Sequence, residues 1–183
     1  KRMEIYSIDE AFLDFSDFSG KERAIQIKEK IMQCTGIPIS IGIARNKTLA
    51  KVANSIAKKY NNSGVFLLTN DSSISQNLRN FPVDNLWGVG SKYAKKLKEL
   101  DIYTAYQFRE ADSDLIQRIL SINAVKTQKE LKGEECYSLE LTSKRRKNIC
   151  TARSFSKDVN ELSVLRESIS SYANNCSRKL RKE

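Results

Sequence analysis

Apolar positions recur along the chain in two rhythms, and the changes between them mark out the elements. Residues 4–8 and 11–15 are short runs rich in Ile, Tyr, Phe and Leu, the composition of two strands around Asp9-Glu10. Over 21–34 the spacing changes to that of a helix, with Ala24, Ile27, Ile31 and Cys34 placed to share one buried face. "IPISIGIA", 37–44, alternates again and is β-branched, so it reads as a strand with Pro38 at its tolerant start. The clearest helix follows over "RNKTLAKVANSIAKK". Leu49, Val52, Ala53, Ile56 and Ala57 follow the i, i+3, i+4, i+7, i+8 pattern. At 100° per residue, Lys47, Lys51 and Lys58 fall within about 40° of one another, opposite that stripe. "GVFLL", 64–68, reads as a further strand.

The order strand, strand, helix, strand, helix, strand describes an α+β layer with helices packed on a sheet. After residue 69 the rhythm changes. "TNDSSIS" reads as a polar linker, followed by short helices near 74–80, 91–100, 104–110, 113–121 and 123–132, the last closed by Gly133. This predicts a small all-helical domain. "TSKRRKN", 142–148, reads as a second linker, "ICTARSFS", 149–156, as a strand, and about 161–182 as a final helix with Leu162, Leu165, Ile169, Tyr172, Cys176 and Leu180 on one side. A strand and a helix are too little for a domain, so this third unit reads as incomplete. The fold class is α+β and multidomain.

Charge sharpens the picture. The 183 residues carry 32 Lys+Arg against 22 Asp+Glu, a formal net charge of +10. Eleven basic and four acidic residues lie from Lys144 to Glu183, so most of the excess is C-terminal. Such a balance suits a polyanionic partner, nucleic acid before membrane; a solvated basic surface is the plainer alternative. No apolar run approaches the roughly 18 residues of a membrane span. The four cysteines lack Cys-x-x-Cys spacing and there is no His, so we expect reduced thiols and no zinc site. The chain opens without Met on a strand-like segment, which reads as an excerpt of a longer protein.

Two segments carry candidate chemistry. In "EIYSIDEAFLDFS", 4–16, two adjacent carboxylates sit inside an apolar run, without the Gly, Asn or Pro a hairpin turn usually uses. A solvent-exposed turn is the bland reading. Paired hard oxygens on a sheet are also what Mg²⁺ takes alongside substrate phosphates, and a two-metal phosphoryl-transfer site would explain the pair. Without metal, repulsion should raise the pKa of at least one of them. In "WGVGSKYAKKL", 87–97, Gly-x-Gly followed by Ser and a helix presents free backbone N–H groups to a phosphate, with Ser91 as cap and Lys92, Lys95 and Lys96 adding charge. A tight turn between packed helices is the alternative. With the short helix before it, the segment is a helix-hairpin-helix candidate; a dinucleotide loop is disfavoured, because no strand precedes it and the third Gly is absent.

"YSIDEAFLD", "SIGIARNKTLAKVANSIAKK", "LWGVGSKYAKKL" and "ICTARSFS" resemble, in that order, successive signatures of the Y-family translesion DNA polymerases, and most of all their UmuC type. The resemblance implies a right-hand layout: residues 1–68 as the C-terminal part of the palm, 69–143 as the thumb, and 144–183 as the linker and start of the little finger. It implies that Asp9 and Glu10 are the paired palm carboxylates holding catalytic Mg²⁺. Lys58 would contact the incoming deoxynucleoside triphosphate. Gly88, Val89, Gly90, Ser91 and Lys92 would grip a DNA phosphate, and Arg153 and Ser154 would track the template backbone. Primer-template DNA would be the partner, in the bacterial cytoplasm at the nucleoid. A sliding clamp, a recombinase filament and a processed UmuD-like subunit would be further partners in DNA repair and the SOS response.

The family's first palm motif, an Asp-x-Asn-x-Phe-Tyr-like strand, is not found in these residues, and neither are the fingers. The resemblance places both before Lys1, which leaves this stretch inactive alone. Three functions compete: template-directed nucleotidyl transfer past damaged bases, a non-catalytic helix-hairpin-helix DNA-binding module from a degenerate copy, and a cyclase-like palm. The thumb-like hairpin argues against the third.

Overall fold

The computed structural model describes residues 2–14, 20–60, 63–142 and 148–182. They form two compact units, 1–140 and 141–183. The first contains β1 (Met3–Ile5), β2 (Ala11–Leu13), α1 (Gly20–Thr35), β3 (Ile41–Ala44), α2 (Lys47–Tyr60), β4 (Val65–Leu68), α3 (Asp71–Asn80), a 3-10 turn (Val83–Asn85), α4 (Ser91–Lys98), α5 (Ala105–Glu110), α6 (Ser113–Ile119) and α7 (Ile122–Leu131). The second contains α8 (Leu162–Leu180).

The amphipathic pattern of α2 is realised as predicted. Leu49, Val52, Ala53, Ile56 and Ala57 are all buried. β3 lies on this helix beside β4, paired in parallel from Ile41↔Val65 to Ala44↔Leu68. Gly42 permits the approach: a Cβ there would collide with the backbone of Ala50 and Asn54. The same core runs on without a break from α2 into Ile74, Leu78, Phe81, Leu97, Phe108, Ile116 and Leu131, so the helical region and the α/β layer share one apolar interior.

The structure departs from the sequence expectations in several places. Among the described residues the strands form two separate two-stranded sheets, β1-β2 antiparallel and β3-β4 parallel, rather than one. β1 ends at Ile5 because the backbone N–H groups of Tyr6 and Ser7 both donate to the carbonyl of Glu10, which closes residues 6–10 into a turn. Phe15, the expected end of the second strand, lies outside the described residues. The polar "TNDSSIS" is largely helix: Asn70 caps α3 by accepting from the backbone N–H of Ser73, so its polar residues are a capping signal rather than a linker. Cys34, expected on the buried face of α1, is exposed. Residues 149–156 form no strand among the described residues. Most of the basic "TSKRRKN", residues 143–147, lies outside them. No helix among the described residues is long and apolar enough to cross a membrane.

Candidate active site

The β1-β2 hairpin is the inverse of what its composition suggests. Its register pairs Glu4 with Phe12, and Glu4 is buried while Met3, Ile5 and Leu13 are exposed. The apolar residues flanking Asp9-Glu10 therefore do not bury the pair. Ile8 is fully exposed, Ile5 is 76% exposed, and Asp9 itself lies open to solvent.

That exposure decides the electrostatics. Asp9 is held below the ordinary carboxylate pKa, first by the Ser7 hydroxyl, which donates to Oδ1 at 2.6 Å, then by its own backbone N–H, with smaller help from the charges of Lys51 and Lys58. The expected upward shift from mutual repulsion is thus overturned at Asp9, because donors and cations face it and burial is slight. The Lys51 ammonium donates to Glu10 Oε1 at 2.6 Å.

The lysine stripe of α2 divides into three roles. Lys47 is buried and pairs with Glu4 at 2.5 Å; Lys51 pairs with Glu10; Lys58 is exposed, close enough for its charge to reach Asp9. Two of the three lysines aligned opposite the apolar stripe are therefore where the hairpin docks. Sequence reasoning missed Glu4, Lys47 and Lys51 in this role, although a lone Glu among apolar strand residues is a signal for a buried ion pair.

It also missed the carboxylate that fixes the start of α2. Glu130, on α7 and fully buried, accepts from the backbone N–H of Thr48 (2.8 Å), Cys136 (3.1 Å) and Tyr137 (2.9 Å). Asn46 completes the cap, accepting from Leu49 N–H and donating to the carbonyls of Glu130 and Glu134. Burial, seconded by Glu130 and Glu134, pushes the Cys136 thiol up, away from thiolate chemistry.

In the second candidate segment, Gly88 adopts φ 85°, a conformation that favours glycine. Val89 is buried and pins the turn to the core. Gly90, not Ser91, is the cap position of α4, so no side chain competes for the first N–H groups of the helix; Ser91 is its first residue. A Cβ at Gly90 would meet nothing within 4 Å, so the space beside the cap position is open. Lys92 is exposed beside them. Lys96, by contrast, donates to the Ile119 carbonyl. Arg153 and Ser154 are exposed in the second unit.

Two family models match the chain: the impB/mucB/samB family over residues 1–55 and the IMS family HHH motif over 71–102. The first includes Asp9 and Glu10, and the second includes Gly88 to Lys92. Protein UmuC of Salmonella typhimurium is 36% identical over 188 residues, covering all of this chain and 44% of that protein. The chain belongs to the UmuC type of the Y-family DNA polymerases.

DNA polymerase IV 1 of Bacillus subtilis is 34% identical over 135 residues, which cover 72% of this chain and 32% of that protein. Among solved structures, a Y-family DNA polymerase chimera of Dbh and Dpo4 superposes with a TM-score of 0.73 at 24% identity, over 97% of this chain and 52% of that one. The chain thus spans less than half the length of the curated Y-family relatives it matches.

Proposed function

We propose that this chain is the carboxylate-bearing and DNA-gripping part of a translesion DNA polymerase that adds deoxynucleotides to a primer 3′ end across damaged template bases. The observation that carries the reading is the Asp9-Glu10 turn, offered to solvent with Lys51 and Lys58 of α2 alongside. The family match through residues 1–55 as well as the hairpin segment supports a polymerase over a hairpin module alone.

The residues fit a divalent ion. Asp9 and Glu10 supply two hard oxygen donors, and Mg²⁺ takes few protein oxygens, completing its shell with water and substrate phosphates. No group of three metal-ligating side chains occurs among the described residues, so a further ligand would come from substrate or from other residues. What bound Mg²⁺ supplies is activation of the primer hydroxyl and neutralisation of the triphosphate. Ser7 keeps Asp9 ionised and oriented. Lys51 balances the charge of Glu10. Lys58 is free to meet a triphosphate, where its charge would count most as charge develops in transfer.

In the same reading, residues 1–68 serve as palm, 69–143 as thumb and 144–183 as the start of the little finger. Gly88 to Lys92 hold a phosphate of primer-template DNA, and Arg153 and Ser154 contact the template backbone. A sliding clamp, a recombinase filament and a processed UmuD-like subunit are the further partners, and the bacterial cytoplasm at the nucleoid is the location.

The test is primer extension on a lesion-bearing template by the full-length protein carrying this sequence, with Mg²⁺. Asp9→Ala and Glu10→Ala should each lower extension by several orders of magnitude while DNA affinity stays near wild type. Wild-type extension by both variants would remove Asp9 and Glu10 from the catalytic site, and no extension by the unsubstituted protein would end the polymerase assignment.

A further inference from the structure

Trp87, the chain's one tryptophan, immediately precedes Gly88, and its side chain reaches the carboxylate hairpin. Its indole Nε1–H donates to the Tyr6 hydroxyl at 3.0 Å. The rings of Tyr6 and Trp87 meet edge-on at 5.7 Å, Phe12 lies 5.9 Å from Trp87, and Tyr6 and Phe12 are 5.5 Å apart. On its other flank Trp87 meets Tyr137 at 5.3 Å. Tyr137 is itself held to α7, through its N–H on Glu130 and its hydroxyl on the Asn123 carbonyl. Aromatic pairs at these separations attract beyond their buried area.

Tyr6 is also part of the turn. Its backbone N–H and that of Ser7 close residues 6–10 on the Glu10 carbonyl, and the Ser7 hydroxyl holds Asp9. One residue therefore joins the carboxylate turn through its backbone and the Gly88 turn through its hydroxyl. We infer that Trp87 is a positioning residue for Asp9 and Glu10: by holding Tyr6, it fixes the carboxylate turn relative to the Gly88–Lys92 turn. The inference rests on the polymerase reading for its consequence, but its physical content does not.

Hydrogen exchange of the intact 183-residue chain tests that content. Trp87→Phe keeps an aromatic ring and removes the indole N–H; Tyr6→Phe removes the acceptor. Each should speed exchange of the residue 6 and Ser7 amides by about two- to tenfold, the worth of one hydrogen bond, and the double variant should add nothing further. The amides of α2 should exchange at wild-type rates, which separates local positioning from general loosening. Unchanged exchange at residues 6 and 7, or loss spread equally through α2, would overturn the inference.

In the full-length protein both variants should lower kcat for extension with DNA affinity and nucleotide KM near wild type; an unchanged kcat would overturn the positioning role. Failure of the polymerase reading gives a different result: the unsubstituted full-length protein would not extend a primer, while the exchange coupling persisted.

Discussion

Two helices of this protein carry similar amphipathic patterns and meet opposite fates. α2 buries its apolar stripe completely: Leu49, Ala53 and Val52 are at most 1% exposed. α8 has Leu162, Leu165, Ile169, Tyr172, Cys176 and Leu180 at comparable spacing and buries none of its residues; Ile169 is 66% exposed. Their ends differ too. The N-terminus of α2 is closed by Asn46 and Glu130, whereas Glu161 at the start of α8 makes no side-chain cap bond. The last turn of α8 is tied to the preceding segment by Lys179, which donates to the Cys150 carbonyl and the Thr151 hydroxyl, both partly solvated. A periodic pattern specifies which face of a helix can be buried. Burial itself depends on what the rest of the fold places against that face.

The comparison can be broken most severely at Gly42. Its missing Cβ is what lets β3 lie against the backbone of α2. Gly42→Ala forces two backbone segments apart, and neither can yield as a flexible side chain would. We expect a loss of about 3 kcal/mol or more from the first unit, enough to threaten its folding. Thermal unfolding followed by far-UV circular dichroism measures it. A change below 1 kcal/mol would mean that β3 and α2 can separate without cost.

Glu130→Ala should come next. It leaves three backbone N–H groups without their acceptor in a buried site and removes the lid from the start of α2. A cost of about 3 kcal/mol is expected, since truncating one partner of a buried charged hydrogen-bond set leaves the others unpaired. Glu130→Gln keeps the shape and one acceptor oxygen, so it should lose less. Equal losses for the two variants would assign the effect to the lost carboxylate charge and acceptors rather than to packing.

A smaller effect is electrostatic. Asp9 is held below its ordinary pKa, so its ionised form favours the native state above the unfolded carboxylate value, and that contribution fades as pH falls through the lowered native value. Ser7→Ala removes the leading cause and should move the Asp9 titration upward, as followed by carboxyl carbon NMR. A downward or absent shift would show that Ser7 does not hold this carboxylate.

Much of the fold was legible because it depends on local spacing. The stripe of α2, Gly133 after α7 and the Gly-x-Gly turn before α4 all declare themselves within a few residues. Asp9-Glu10 was legible as a motif, but its environment was not. Whether Ile5 and Ile8 face a core depends on neighbours distant in sequence, and here Glu4 and Phe12 face inward instead. The partners of Glu130 lie as many as 84 residues away, and no periodicity announces such a contact. The strand expected over 149–156 has the composition of a strand, yet alternation cannot supply the neighbour with which a strand pairs.

The smallest expected effect is the sharpest test of the opening contrast. Leu49→Ala in α2 creates a cavity among residues that cannot collapse fully, and should cost about 2–5 kcal/mol. The same deletion at Ile169 in α8 removes methyl groups that already face water, so almost no transfer energy is lost. Ala also loses less side-chain entropy in a helix than a β-branched residue, which favours the variant by about a few tenths of a kcal/mol. Ile169→Ala should therefore be neutral or slightly stabilising, as read from exchange of the α8 amides in the same chain. A loss approaching that of Leu49→Ala would mean that Ile169 is covered in solution, and the two helices would then differ in their neighbours rather than in whether they have any.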